Sequence, residues 1–259
     1  MQKNFFLIFI AMVAAYIAVP TLMMVILPNA IPLKYTVLFQ VIFFLIPVLY
    51  LASLEGDILQ VLRINVDFSP KVIVFLLWGL AGLSVFSLGW QSLQKAIIPD
   101  FLSGAYQKIV SETIQQQNEL VKSTNLFSFF STLFFIAIIP AVCEEFLFRA
   151  YLLQNLLRKY QSKLVAAVLS ALLFSLIHLN PIGMVEIFII GLYLAGLFIA
   201  TGSIVPGIIF HLLNNALVVC VARYGGNMQG QPDSYSFLTS LILVILGLAI
   251  VIVSYKKIN

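Results

Sequence analysis

Long, uninterrupted apolar runs constrain this sequence more than any other feature. A helix that crosses the hydrocarbon core of a membrane needs about 20 mostly apolar residues. Runs of this kind recur from near the N-terminus to near the C-terminus, with polar stretches between them. Membrane β-barrels instead show short segments of alternating polarity. The pattern therefore predicts an all-α, polytopic integral membrane protein.

The composition agrees with a membrane protein and excludes several other classes. Hydrophobic residues make up 62% of the chain, charged residues make up 9%, and the mean hydropathy is +1.08. Soluble domains average about 45–50% apolar and about 25% charged residues, so a water-soluble globular protein is excluded. The net charge is +4, but the 14 Lys and Arg residues form no basic run, so no nucleic-acid partner is expected. The two cysteines lie in apolar runs, which excludes a disulfide scaffold.

We predict about eight membrane spans within a single membrane domain that covers residues 1–259. In chain order the predicted spans are Phe5–Ile26, Tyr35–Leu54, Val72–Trp90, Leu126–Cys143 or slightly beyond, Leu164–His178, Met184–Ala200, Ile204–Val221 and Phe237–Ser254. The longest polar stretch is Gln91–Asn125, and its Ala105–Val121 part has the pattern of an amphipathic helix. That helix is interpreted either as a lid over a cavity or as a solvated surface helix.

The placement of Lys and Arg in the loops predicts the orientation of the chain, because these residues favour cytoplasmic loops. With eight spans, more Lys and Arg residues fall on the same side of the membrane as the N-terminus than on the opposite side. Both termini are then cytoplasmic. We expect the protein to reside in a bacterial inner membrane, with the lipid bilayer as its surroundings.

Two adjacent carboxylates follow the fourth apolar run. An ionisable side chain within a membrane span costs free energy, and such residues usually have a functional role. The two carboxylates are Glu144 and Glu145, and Arg149 follows four residues after the second. Neighbouring residues of a helix point about 100° apart, so the two carboxylates face different directions. Glu145 and Arg149 share a face and can form an ion pair. Glu144 has no such partner in the sequence, as a general base requires.

The only two histidines of the chain, His178 and His211, both fall in apolar segments. Ser203, Gly207, His211 and Asn215 recur at every fourth residue, which predicts one small and polar face on the seventh span. Such a face lies against protein or a water-filled cavity rather than lipid, although close helix packing alone would also account for it.

The loop between the fourth and fifth spans predicts which of these groups meet. Its charged tip is centred on Gln161, and Glu144 and His178 lie equally far from that residue in opposite directions along the chain. Antiparallel packing of the two helices would therefore bring Glu144 and His178 to the same depth.

The polar residues form three short motifs, which are, in chain order, EExxxR at Glu144–Arg149, FxxxH at Phe174–His178 and HxxxN at His211–Asn215. Together they resemble the CPBP family, the CAAX-protease and bacteriocin-processing (Abi) intramembrane endopeptidases. The motifs lie within a predicted catalytic core at residues 124–222. No motif position departs from the family pattern.

The resemblance implies an intramembrane endopeptidase in which Glu144 activates water for attack on a peptide carbonyl. His178 would hold and polarise that water, and His211 and Asn215 would stabilise the oxyanion of the tetrahedral intermediate. The expected substrate is a peptide or a membrane protein, with or without an attached lipid.

The resemblance also implies supporting residues. Glu145 and Arg149 would brace the site, and Phe174 would pack beside it.

A metal cofactor remains open at this point. Glu144, His178 and His211 could ligate Zn²⁺ and leave a fourth position for water. The chain lacks the HExxH arrangement, in which a glutamate between two histidines is the base. If Glu144 were a ligand, Glu145 would be the only nearby base. We therefore favour a glutamate-activated water, with Zn²⁺ as the alternative.

Two functions other than proteolysis also fit ionisable residues inside a membrane. A transporter or channel could use the buried glutamates and histidines as an ion or proton relay. A catalytically silent immunity or binding protein could use the same scaffold. The paired broken helices typical of transporters are not apparent, and no catalytic motif is lost.

Overall fold

The computed structural model describes residues 4–26, 37–121, 125–224 and 235–258. The described residues form helices and no strand, which confirms the predicted all-α class. In chain order the helices are α1 (Phe5–Ile26), α2 (Leu38–Glu55), α3 (Ile58–Val61), α4 (Lys71–Ile97), α5 (Asp100–Val121), α6 (Leu126–Tyr160), α7 (Lys163–Ile177), α8 (Met184–Thr201), α9 (Val205–Tyr224) and α10 (Phe237–Ile258). The start of the predicted second span, at residues 35–36, and the first residue of the predicted core, 124, lie outside the described residues.

Seven helices in the described part of the chain are long and apolar enough to cross a membrane, which confirms a polytopic membrane protein. They are α1, α2, α4, α6, α8, α9 and α10. The predicted fifth span instead forms α7, an apolar helix of 15 residues. At 1.5 Å per residue α7 is about 22 Å long, whereas the hydrocarbon core is about 30 Å thick. By this length α7 is too short to cross the hydrocarbon core on its own.

Helix α6 is the central element, and it continues well beyond the predicted end of the fourth span at Cys143. It runs for 35 residues and contains two π-helical segments, Leu133–Ile138 and Phe146–Leu153. The first π segment precedes Pro140, whose ring and missing N–H do not fit a regular α-helical turn. Every side chain from Cys143 to Leu156 is buried. The helix therefore continues because the rest of the bundle covers this stretch on all sides.

A tight turn joins α6 to α7. Gln161 adopts a left-handed backbone conformation with φ of 53°, and Ser162 caps α7 by accepting a hydrogen bond from the Val165 N–H. The two helices then pack together, and the Ser170 hydroxyl donates to the Phe148 carbonyl at 3.3 Å. The structure thus contains the predicted hairpin.

Helices α4 and α10 pack against each other in an antiparallel pair built on small residues. A methyl group added at Gly82 would lie 3.0 Å from the Gly247 carbonyl oxygen, and one added at Gly89 would lie 2.8 Å from the Ser240 carbonyl oxygen. Small residues allow membrane helices to approach closely, and dispersion contacts then stabilise the pair.

The start of α9 is fixed by the loop between α3 and α4. Ser203 donates from its hydroxyl to the Asn65 carbonyl and accepts from the Val205 N–H, and the Ile204 N–H donates to the Arg63 carbonyl. Ser203 therefore lies before α9 and caps it. The predicted small and polar face of this helix begins at Gly207 and does not include Ser203, because the helix starts later than the sequence pattern indicated.

The predicted amphipathic helix Ala105–Val121 is helical and forms most of α5. Its exposed side includes a Lys108–Glu112 ion pair at 3.9 Å, with both side chains more than half exposed. Whether α5 acts as a lid stays a prediction.

Candidate active site

Three helices bring the ionisable residues of the apolar segments into one buried cluster. Glu144 and Glu145 lie on α6, His211 lies on α9, and His178 follows the last residue of α7. Glu144 and His211 are each 4% exposed, and Glu145 is fully buried. The side chain of His178 is 30% exposed. The cluster therefore opens on the side of His178.

The carboxylate of Glu144 faces both histidines with the same oxygen. Its Oε2 atom lies 3.8 Å from Nε2 of His178 and 3.8 Å from Nε2 of His211. This oxygen is buried and has no hydrogen-bond partner among the described residues. The hairpin thus brings Glu144 and His178 to the same depth, as predicted, and α9 adds His211 to the pair.

The hydrogen bond made by Nδ1 of each imidazole determines whether the Nε2 atom that faces Glu144 is a donor or an acceptor. Nδ1 of His178 lies 2.7 Å from the Phe174 carbonyl oxygen, which can only accept, so this nitrogen carries a proton. Nδ1 of His211 lies 3.1 Å from Oε1 of Glu145, and it donates in the same way to the ionised carboxylate. In the neutral rings both Nε2 atoms are then acceptors. Three acceptors converge on one point, where a water molecule would supply donors.

The predicted ion pair between Glu145 and Arg149 is confirmed. Nη1 of Arg149 lies 3.2 Å from Oε1 of Glu145, and both side chains are fully buried. Arg149 also donates from Nη2 to the Gly191 carbonyl on α8 at 3.2 Å. A buried pair is stabilising only when further hydrogen bonds satisfy its members. Here the same Glu145 oxygen also accepts from His211, so the pair connects α6, α8 and α9. Oε2 of Glu145 and Nε of Arg149 have no hydrogen-bond partner among the described residues, so the pair is only partly satisfied.

Phe174 lies at the centre of the aromatic contacts around the cluster and is 2% exposed. Its ring centroid is 4.8 Å from that of His178 and 5.8 Å from that of His211, both edge to face. The guanidinium carbon of Arg149 lies 4.6 Å from the ring centroid, within cation–π distance. Phe174 therefore packs beside the site, where the motif resemblance predicted it.

Gly207 allows the carboxylate of Glu145 to approach α9. A methyl group added at Gly207 would lie only 2.8 Å from Oε2 of Glu145. Gly207 is in the first turn of α9, where the helix carries a positive partial charge that favours a carboxylate. The small residue on this face thus leaves room for the Glu145 carboxylate beside the first turn of α9, in addition to allowing helix packing.

Asn215 lies one helical turn after His211 on α9 and is partly buried. Its Oδ1 atom accepts a hydrogen bond from Asn214 at 3.5 Å, whereas the described contacts of Glu144 are with other residues. The structure therefore puts Asn215 near the cluster by helical spacing alone, without a direct contact to the carboxylate.

The turn after α7 keeps His178 at the open side of the cluster. Leu179 adopts a left-handed backbone with φ of 50° and is 70% exposed. Asn180 accepts from the Gly183 N–H at 3.0 Å, and Gln94 of α4 donates to the Ile182 carbonyl at 2.8 Å. Irregular backbone at membrane depth needs partners of this kind within the protein.

Gln40 is a member of the site that the sequence analysis missed. It lies on α2, is 6% exposed, and donates from Nε2 to Oε1 of Glu144 at 2.9 Å. Its Nε2 atom also lies 3.3 Å from the Tyr16 hydroxyl of α1. The available signal was a single amide inside the otherwise apolar stretch Leu38–Leu45. Within the described ranges, the carboxylate of Glu144 is therefore held by a hydrogen bond on Oε1 and by none on Oε2.

The described residues contain no group of three or more His, Cys, Asp or Glu side chains placed to hold a metal ion. Zinc holds its nitrogen and oxygen ligands at about 2.0–2.2 Å in a tetrahedron, so pairs of ligand atoms lie roughly 3.3 Å apart. The 3.8 Å separations around Glu144 are wider than this. The three side chains have the right chemistry for Zn²⁺, but they would have to move closer together to bind it.

Comparison with known families matches one segment of the chain. Residues 126–217 match the family described as type II CAAX prenyl endopeptidase, Rce1-like. This segment includes all three motifs, and the match supports the predicted resemblance to the CAAX-type intramembrane proteases. The chain has no significant match among curated proteins or among solved structures.

Proposed function

We propose that the chain hydrolyses peptide bonds with a water molecule activated by Glu144, a proposal supported by the match of residues 126–217 to the Rce1-like CAAX prenyl endopeptidases. The observation that carries this proposal is the position of Glu144 Oε2, which is buried, equidistant from two imidazole nitrogens and without a hydrogen-bond partner in the described part of the chain. The substrate is a peptide or membrane protein. The family description makes a prenylated C-terminal CAAX sequence the first candidate.

The attacking water is held between Glu144 and His178. One of its O–H groups donates to Oε2 of Glu144, and the other donates to Nε2 of His178. Attack transfers the first proton to Oε2 while the water oxygen bonds to the carbonyl carbon and the carbonyl π electrons move to its oxygen. A base positioned in this way contributes about 10²- to 10⁴-fold to the rate.

The oxyanion is stabilised by donors from α9. Nε2 of the neutral His211 ring is an acceptor, so His211 donates to the oxyanion only after its ring has taken a proton from solvent before the attack, while Nδ1 stays on Glu145. The Asn215 amide can add a second donor after a side-chain rotation. Collapse of the intermediate breaks the C–N bond, and Glu144 returns its proton to the leaving nitrogen. Donors of this kind are typically the largest single contribution to such catalysis.

Zinc is the alternative cofactor. If the three side chains closed around it, Glu144, His178 and His211 would hold the ion, and the ion would lower the pKa of a bound water. Glu145 could not then serve freely as the base, because it is committed to Arg149 and His211. The geometry therefore favours the mechanism in which Glu144 is the base.

The test compares membrane peptides by mass spectrometry in cells that produce the wild-type protein or Glu144→Gln. Glu186→Gln is the matched control, because Glu186 is a carboxylate of another apolar helix, α8, lies outside the three motifs, and accepts a hydrogen bond from Gln91 at 3.3 Å. We expect new cleaved termini with the wild type and with Glu186→Gln, and none with Glu144→Gln. A purified protein that cuts a fluorescence-quenched farnesylated CAAX peptide would identify the substrate class. No wild-type-dependent termini, as for a transporter or a silent binding protein, would overturn the proposal.

A further inference from the structure

The hydrogen bond between Gln40 and Glu144 joins the amino-terminal helices to the site. Gln40 lies on α2, and Glu144 lies 104 residues later on α6. The family match begins at residue 126, so Gln40 is outside the matched segment. The bond length is 2.9 Å, and both side chains are buried. A hydrogen bond to a carboxylate in such surroundings is stronger than one between neutral groups.

The orientation of the Gln40 amide is fixed by its partners. Nε2 supplies two N–H groups, one directed to Oε1 of Glu144 and one to the Tyr16 hydroxyl. The Oε1 atom of Gln40 is buried with no hydrogen-bond partner among the described residues. The reverse orientation would put this oxygen against the carboxylate of Glu144, where two acceptors repel. The hydrogen bond to Glu144 therefore determines the orientation of the amide, and the amide oxygen is left without a partner among the described residues.

We infer that Gln40 is a positioning residue that determines which oxygen of Glu144 acts as the base; this inference rests on the proposed function. An N–H donor can bind an unprotonated carboxylate oxygen but has no acceptor for a proton on that atom. A proton taken from water therefore goes to Oε2, the oxygen that faces His178 and His211. Gln40 also fixes the carboxylate plane, so that Oε2 stays within reach of the attacking water.

The experiment measures kcat and KM of the full-length protein, in detergent micelles, on the fluorescence-quenched farnesylated CAAX peptide. The variant is Gln40→Met, which keeps the side-chain volume and removes the amide. The matched control is Gln154→Met. Gln154 is 7% exposed, and its amide donates to the Val61 and Ala150 carbonyls instead of to the site. Both substitutions remove a buried amide, so a general loss of packing would affect them alike.

We expect Gln40→Met to lower kcat by about 10- to 100-fold, as for loss of a group that orients a reacting residue. KM should stay within about twofold of the wild type, because the lost interaction acts on the chemical step. Gln154→Met should leave both constants within about twofold. If Gln40→Met does not fold, Gln40→Asn replaces it, since the shorter side chain keeps an amide but withdraws it from Glu144.

The outcomes separate this inference from the proposed function. Equal kcat values for Gln40→Met and Gln154→Met, together with an inactive Glu144→Gln, would overturn the role of Gln40 and leave the proposed function standing. A rise in KM at constant kcat would also overturn it, because Gln40 would then contribute to binding. Full activity of Glu144→Gln would overturn the proposed function itself.

Discussion

The imidazole of His211 lies 3.1 Å from the carboxylate of Glu145, on a different helix and 66 residues earlier in the chain. The opposite nitrogen of the same ring lies 3.8 Å from Glu144. His211 therefore connects the two adjacent glutamates that helical geometry directs to different sides. Glu145 orients this ring in addition to pairing with Arg149.

Replacing Arg149 by Ala should destabilise the protein and abolish activity. The substitution leaves Glu145 charged, buried and without its cation, and breaking a buried pair in this way costs about 3–5 kcal/mol. Thermal unfolding in detergent micelles measures the effect. Lys108→Ala is the control, because it breaks an exposed ion pair of the same i,i+4 spacing and should change stability by less than about 1 kcal/mol. Equal effects of the two substitutions would contradict the prediction.

Replacing Glu145 by Gln should reduce kcat by roughly 100-fold. It should leave the protein folded but less stable, because Arg149 loses its buried carboxylate partner. Glutamine keeps the shape of the side chain but loses the charge that pairs with Arg149 and orients the His211 ring. Peptide cleavage kinetics and a circular dichroism spectrum of the same sample test both parts. A variant with wild-type kcat would show that Glu145 has no part in orienting His211.

Replacing Gly207 by Ala should lower both activity and stability. The added methyl group would lie 2.8 Å from Oε2 of Glu145 and would push the carboxylate away from α9. Gly104→Ala is the control, because it is exposed on α5 with no atom within 4 Å of the added carbon. In the control, alanine should stabilise the helix by up to about 1 kcal/mol. The hypothesis fails if Gly207→Ala cuts the peptide at the wild-type rate.

Treatment with a zinc chelator should leave peptide cleavage within about twofold of the untreated rate, because the favoured mechanism uses Glu144 as the base. The control adds Zn²⁺ back to the treated protein. Loss of activity that added Zn²⁺ restores would reject this mechanism and favour the alternative in which Glu144, His178 and His211 ligate the ion.

Several local features followed from the sequence because they depend on neighbours along one helix. Apolar runs indicated the helices, and the i,i+4 rule gave the Glu145–Arg149 pair. The position of the turn at Gln161 predicted that Glu144 and His178 lie at the same depth. Helix ends were less predictable: α6 continues past Cys143, and Ser203 precedes α9, because packing by other helices decides where a chain can leave the helical conformation.

Contacts between distant segments could only come from the tertiary structure. The sequence by itself determined a polytopic α-helical protein and the residues that carry its chemistry, since composition and helical periodicity are properties of single segments. Only the packing of α2 and α9 against α6 decided that Gln40 holds one oxygen of Glu144 and that His211 joins Glu144 to Glu145. The physical reason is that buried polar atoms take their partners from whichever helix lies beside them, and sequence spacing does not specify that helix.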